Sequence, residues 1–235
     1  MIFLATRREN TNRIKAIATD IDGTITDGRR RISTEVISAL RRVEEMGIPV
    51  MLASGNVLPI AYGLSGFIGT TGPVIAENGG VVFHQKRVRY LGDRKRCDQA
   101  FEELAKHMPV KKIFSDRWRK GEVAIEPDVD LAEVKRRVAE FGLKAESTGF
   151  AIHIFEPQVS KFNGLKVACE MIDVDVAEVA AFGDSENDVE MIKKCGIGIV
   201  PSNAAEEIKK HADFVASSPW GKGFVEGLRW LGFVD

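Results

Sequence analysis

The stretch Asp20-Ile21-Asp22-Gly23-Thr24 constrains this chain more than any other. The run before it, Ile14-Lys15-Ala16-Ile17-Ala18-Thr19, is short and rich in apolar residues, the pattern of a strand with both faces covered. Gly23 breaks that strand, and Thr24-Ile25-Thr26-Asp27-Gly28 reads as a loop. Residues two apart on a strand face the same side, although a turn at Gly23 could re-aim Asp22. Carboxylates held together at a strand end are costly unless a cation or a proton lies between them. Asp and Gly are also ordinary turn residues, so the pentapeptide alone fits a plain turn. Its place after a buried strand weighs toward a site, because comparable polar groups end other strands downstream.

Those strands recur along the chain. Ile48-Pro49-Val50-Met51-Leu52-Ala53 runs into Ser54-Gly55-Asn56, and Pro73-Val74-Ile75-Ala76 into Glu77-Asn78-Gly79-Gly80. Val179-Ala180-Ala181-Phe182 ends in Gly183-Asp184-Ser185-Glu186-Asn187-Asp188. Between the first two strands, Val36, Ile37, Leu40, Val43 and Met46 recur at helical spacing, with Ser33 or Thr34 as N-cap and Gly47 as the stop. A helix broken by glycines follows from Pro59 to Phe67, and others lead through Met171 and from Val189 to Lys194. Gly196–Val200 and Ala212–Ala216 close the sheet around a helix near Ala205 to His211, and a last helix spans Phe224 to Leu231. Strands alternating with helices predict an α/β fold, doubly wound around a mostly parallel, Rossmann-like sheet.

The texture changes near His84. Lys86-Arg87-Val88-Arg89-Tyr90 alternates polar and apolar residues, as half-exposed strands do. Helices over about Arg94–His107 and Leu131–Phe141 then mix with short strands at Lys112–Ser115, Glu122–Glu126 and Ala151–Phe155. The second helix has Asp128 or Asp130 as its cap. Val81-Val82-Phe83 reads as a hairpin arm after the favoured turn pair Asn78-Gly79. We therefore expect residues 84–157 to be an inserted small α/β cap domain, with 1–83 and 158–235 forming the core.

Open parallel sheets bind ligands beyond the carboxyl ends of their strands, near the switch in strand order. Asp20/Asp22, Ser54-Gly55-Asn56 and Asp184 through Asp188 should converge there. Two unit charges about 4 Å apart repel by about 4 kcal/mol at an effective dielectric near 20. Asp20, Asp22, Asp184 and Asp188 thus call for a counter-charge, and a hard oxygen-ligated divalent ion such as Mg2+ suits them. Helix capping explains Asp184 or Asp188 singly, but hardly four acids at one edge. Ser54-Gly55-Asn56 offers a hydroxyl and backbone N–H groups ahead of a helix, as a phosphate cradle does, though an ordinary strand-to-helix turn looks the same. Lys161 reads as solvated surface except that it re-enters the core after the insert, where it could neutralise a phosphate.

Other features exclude classes of function. A formal net charge of -1 gives no field that gathers nucleic acid or an anionic membrane. No apolar run approaches the ~18 residues that span a bilayer, and Met1-Ile2-Phe3-Leu4 is too short for a signal segment. Cys97, Cys169 and Cys195 are scattered, which points to reduced thiols in a cytoplasmic compartment. The four histidines lack metal-ligand spacing, with His153 read as a surface or structural residue. Arg29-Arg30-Arg31 and Arg117-Trp118-Arg119-Lys120 read as solvated faces, although the second, lying in the insert, could touch an anionic substrate.

Assembled, these residues resemble the haloacid dehalogenase superfamily of aspartate-nucleophile phosphatases. The likeness rests on Asp20-x-Asp22-Gly23-Thr24, Ser54 after a strand, Lys161, and Gly183-Asp184-Ser185-Glu186-Asn187-Asp188, in that order. The insert resembles the α/β cap of the Cof-like branch, and chain length and cap size are most similar to archaeal-type phosphoglycolate phosphatases. The resemblance implies that Asp20 is the nucleophile, forming an aspartyl-phosphate, and that Asp22 is the acid and base. It implies Mg2+ held by Asp20, the Asp22 carbonyl and Asp184, with Asp188 in or next to that shell. It assigns phosphate binding to Ser54 and Lys161 with Gly55 and Asn56, and a supporting role to Thr24 and Asn187. Many relatives carry Arg where this chain has Asn56. The implied substrate is a small phosphorylated metabolite, 2-phosphoglycolate first, and the implied assembly is a homodimer. A sugar phosphatase or phosphomutase of the same superfamily, and a receiver-type phospho-aspartate signalling domain, are the rival readings.

Overall fold

The computed structural model describes residues 13–235, so the reading of Met1–Asn10 lies outside the described residues. The chain runs β1 (Ala16–Asp20), α1 (Thr34–Glu45), β2 (Val50–Ala53), α2 (Leu58–Ile68), β3 (Val74–Ala76), β4 (Val81–His84) and β5 (Arg87–Tyr90). Next come α3 (Arg94–His107), β6 (Val123–Ile125), α4 (Leu131–Ala139), β7 (Lys144–Ser147) and β8 (Ile152–Phe155). It closes with α5 (Lys161–Ile172), β9 (Val179–Phe182), α6 (Val189–Lys194), β10 (Ile197–Val200), α7 (Glu206–Lys209), β11 (Phe214–Val215) and α8 (Trp220–Leu231).

The large sheet has the order β11-β10-β9-β1-β2-β3-β4-β5, parallel from β11 to β3 and antiparallel at β4 and β5. The chain builds outward from β1 in one direction and from β9 in the other, so the switch in strand order lies between these two neighbours. Every residue of β1, β2 and β9 is buried, as expected of strands covered on both faces. Side-chain alternation sends Ile17 to the face covered by α1 and α8, where it meets Leu40 and Leu228. Ala16 and Ala18 face the other way, with Met51, Ile75 and Ala181, toward Phe162 and Leu165 of α5. These small residues let α5 approach closely. A Cβ added at Gly164 would stand only 2.7 Å from the Ile75 side chain. Asp20 shares the parity of Ala16 and Ala18, and so belongs to the face on which α5 lies.

A second, antiparallel sheet of order β6-β8-β7 carries α3 and α4, with Leu104, Ile125, Val134, Val138 and Ile154 in its core. Several boundaries differ from the sequence reading. Arg87–Tyr90, expected in the insert, pairs with β4 as the outer strand of the large sheet. Its alternation signalled an edge, not a change of domain. Lys112–Ser115 is not a strand. Lys112 makes one bridge to Ile125, and the chain then turns through a 3-10 helix at Phe114–Trp118. The Asp116 carboxylate, which accepts from the Ala124 backbone at 2.8 Å, fixes that turn. β7 was not anticipated, because only Ala145 of its four residues is buried. Asn78-Gly79 does not form a two-residue hairpin turn. Glu77, Asn78 and Gly79 all adopt positive φ in a longer connection between β3 and β4.

Candidate active site

The carboxyl ends of β1, β2 and β9 bring Asp20, Ser54 and Gly183-Asp184 to one edge, beside the switch in strand order. α5 delivers the fourth component. Ser160 caps it by accepting from Asn163 N at 3.2 Å, and Lys161 is its first residue, buried at 2 % exposure. The Lys161 ammonium donates to Asp20 Oδ1 at 2.5 Å and to Asp188 Oδ1 at 2.7 Å. Lys161, expected to re-enter the core after the insert, is buried there and held by two carboxylates.

Asp188 is fixed from its other oxygen. Oδ2 accepts from the backbone of Asp184 and Ser185 at 3.2 and 3.1 Å and from Ser185 Oγ at 2.9 Å. Thr24 and Asn203 hold Asp184: Thr24 Oγ1 donates to Oδ1 at 2.9 Å, and Asn203 Nδ2 to Oδ2 at 3.2 Å. The same Asn203 amide donates to the Gly23 carbonyl at 3.0 Å, tying the loop after β1 to the loop after β9. Gly23 has φ near +89°, and a Cβ there would stand 2.3 Å from Asp184 Oδ2. Only glycine fits that approach.

Asp22 turns away from this cluster, as the break at Gly23 allows. Arg30 Nε donates to its Oδ1 at 2.7 Å, and Asn56 Nδ2 to its Oδ2 at 3.0 Å. Asn56 also donates from its backbone to Ser54 Oγ at 3.0 Å, so its amide orients Asp22 while its backbone braces the loop. Asn187 accepts from Ser185 Oγ at 2.7 Å and donates to Asn78 Oδ1 at 3.1 Å.

Asp20, Asp184 and Asp188 each offer an oxygen within 4.8 Å of the others. Burial, then the neighbouring Asp188, lifts the Asp184 carboxyl to about 6. Burial pushes Asp20 upward, as do Asp188 and Asp184, against the pull of Lys161. Burial also works against the Lys161 cation, but Asp188 and Asp20 outweigh it and hold its pKa above the usual lysine value. Three carboxylates facing one ammonium lack positive charge. Hard oxygen donors gathered at this spacing fit a small divalent cation such as Mg2+.

A cavity of about 460 Å3 opens over the cluster. Asp20, Asp22, Gly55, Lys161, Asp184 and Asn187 line its core side. Leu131, Lys135, Thr148 and Phe150 close it from the second sheet and α4. Thr24, buried behind the cavity wall, supports Asp184. Arg30 was read only as part of a solvated basic run, and Asn203, a single polar residue in a loop, carried no sequence signal of a site role.

Behind the cavity lies a buried polar group that the sequence reading also missed. Arg119, read as part of a solvated face, and His153, read as a surface or structural residue, are 3 % and 0 % exposed, and Glu122 is 0 % exposed. Glu122 accepts from Arg119 and Asn78, and its Oε1 pairs with His153 Nδ1 at 2.8 Å. Arg119 Nη1 also donates to the Gly55 carbonyl at 3.0 Å, so a residue before β6 steadies the loop after β2.

The chain is similar to known proteins over most of its length. The sequence pattern of the haloacid dehalogenase-like hydrolase family matches residues 17–113 and 94–228. A protein of Methanothermobacter thermautotrophicus named phosphoglycolate phosphatase is 41% identical, the match covering 92% of this chain and 98% of that one. One of Archaeoglobus fulgidus with the same name is also 41% identical, covering 94% and 98%. A solved structure from Thermoplasma acidophilum superposes with a TM-score of 0.89 at 30% identity, over 94% of this chain and 99% of that one.

Proposed function

The chain belongs to the haloacid dehalogenase-like hydrolases and is a phosphatase, and from that premise we propose that it hydrolyses 2-phosphoglycolate to glycolate and phosphate through Asp20. The observation that carries the chemistry is the buried contact of Lys161 with Asp20 at the floor of the cavity. The leaving group rests on the name shared by relatives that match nearly the full length of the chain.

Each residue then has a task. Asp20 attacks phosphorus as its ester bond to the leaving oxygen breaks, giving an aspartyl-phosphate and dividing one difficult step into two. Asp22, held at both oxygens by Arg30 and Asn56, gives a proton to the leaving alkoxide. It then takes a proton from the water that attacks phosphorus, and the bond to Asp20 breaks to release phosphate. Lys161 offsets the charge of Asp20 and the phosphoryl oxygens, while Ser54 and the Gly55 loop receive those oxygens. Asp20, the Asp22 carbonyl, Asp184 and Asp188 would hold Mg2+, which supplies the counter-charge that lets an anionic nucleophile meet an anionic phosphate. Thr24, Asn187 and Asn203 keep the loops in register.

The test is phosphate release from a panel of small phosphomonoesters, with and without Mg2+. The proposal expects Mg2+-dependent turnover with the highest kcat/KM for 2-phosphoglycolate. Preference for a sugar phosphate would contradict the substrate. Little net release and activation by a sugar bisphosphate would replace hydrolysis by phosphoryl transfer.

A further inference from the structure

The buried group behind the cavity has no task in the chemistry above, yet it ends at the cavity wall. His153 Nδ1 faces the Glu122 carboxylate at 2.8 Å, and its Nε2 lies 2.9 Å from Thr148 Oγ1. Thr148 is half-buried and lines the cavity opposite Asp20 and Asp22. The Thr148 hydroxyl has a single proton, which the Ala151 carbonyl at 3.5 Å also faces; with His153 Nε2 donating to Oγ1, that proton is free to turn into the cavity. Lys135 lines the same wall, where the neighbouring ionisable groups, Glu146 and Glu186, are acidic. Its charge acts on Glu146 across that wall. The core floor is rich in carboxylates, and on the opposite wall Lys135 and Thr148 are the groups able to receive an anionic leaving group.

We infer that Thr148, with Lys135, recognises the carboxylate of the leaving group, and that His153, itself fixed by Glu122, is the positioning residue that pins the Thr148 hydroxyl for this contact. The inference rests on the substrate reading above and deepens it. Glu122 is the common point of the arrangement. Through Arg119 it reaches the Gly55 loop, through Asn78 it reaches Asn187, and through His153 it reaches Thr148. One buried carboxylate therefore sets the spacing between the phosphate end of the cavity and its leaving-group end. A phosphomonoester whose carboxylate sits two carbons from the phosphoryl oxygen fits a fixed spacing of this kind. An ester without a carboxylate gains nothing from it.

The experiment compares kcat and KM for 2-phosphoglycolate and p-nitrophenyl phosphate in the wild type, Thr148→Ala, Thr148→Ser and His153→Phe, with Mg2+ present. A hydrogen bond to a charged group is worth ~10- to 100-fold in affinity. Thr148→Ala should therefore raise KM for 2-phosphoglycolate at least about tenfold and leave p-nitrophenyl phosphate within about threefold. Thr148→Ser should recover most of the loss, since it restores the hydroxyl. His153→Phe should lower the same selectivity while thermal unfolding shows it folded. Thr148 is not part of the buried core, so its variants remain informative if His153→Phe fails to fold. A wild-type preference for 2-phosphoglycolate that survives Thr148→Ala, or an equal loss on both esters, overturns this inference and leaves the substrate reading intact. A wild type without that preference overturns both.

Discussion

Lys161 Nζ lies 2.5 Å from Asp20 Oδ1 although 141 residues separate them, and neither side chain is more than about 5 % exposed. Removing one partner of a buried ion pair leaves the other charge unpaired, which costs roughly 3–5 kcal/mol. Lys161→Met should therefore destabilise the metal-free protein by about that amount in denaturant unfolding. Added Mg2+ should restore part of the loss, because it binds the folded state and supplies the missing charge. Equal destabilisation with and without Mg2+ would mean that the three carboxylates do not form a cation site.

Asp22 should matter according to the leaving group. General acid catalysis contributes about 10²–10⁴-fold when the leaving alkoxide needs a proton. Asp22→Asn should thus depress turnover of 2-phosphoglycolate by that order, and the first step with p-nitrophenyl phosphate much less, since nitrophenolate leaves without one. Transient kinetics separate that step from the later hydrolysis. An identical loss on both esters in the first step would remove the acid role.

Gly23 sets the closest approach in the site. Gly23→Ala places a methyl 2.3 Å from Asp184 Oδ2 at a φ near +89°. Backbone strain of this kind costs on the order of 1–3 kcal/mol. Mg2+ affinity, read by calorimetric titration, should fall along with activity, because Asp184 must move aside. Unchanged affinity would place the cation elsewhere.

Glu77 contributes its own pH dependence to stability. Burial, then the Glu122 carboxylate, raises its pKa from the usual 4.5 to about 7. The folded state therefore holds a proton that the unfolded state has released between these values. The stability that this proton confers is present in full below about 4.5 and is lost as pH rises to about 7. The shift corresponds to ~3 kcal/mol at most. In paired melts of wild type and Glu77→Gln, the wild type should lose stability relative to the variant across that interval and run parallel above it. A difference that stays constant with pH would contradict the assignment.

The strand ends were legible because each apolar run stops abruptly at a polar group, as at Asp20, Ser54 and Gly183-Asp184. Lys161 was harder to read, since a lysine at a helix start looks like surface until the small residues Ala16 and Ala18 bring α5 against the sheet. Arg119 and Glu122 were illegible, and His153 only half legible as a surface or structural residue, for a different reason. Charged and ionisable residues read as solvated unless their partners are known, and the Gly55 carbonyl reached by Arg119 lies 64 residues away. β7 failed by pattern, with one buried residue in four, whereas β5 was legible as a strand and misplaced only in the insert, because an edge strand and an exposed cap strand alternate alike.

The most direct test of the account is to trap the enzyme during turnover. Wild type and Asp20→Asn are mixed with phosphorus-labelled 2-phosphoglycolate and Mg2+, quenched in acid within milliseconds, and digested to locate label on the chain. The account predicts a hydroxylamine-labile phosphoryl group on Asp20 that forms and decays at the rate of turnover, and neither label nor phosphate release in Asp20→Asn. Sustained phosphate release by Asp20→Asn, or label on another residue, would contradict it.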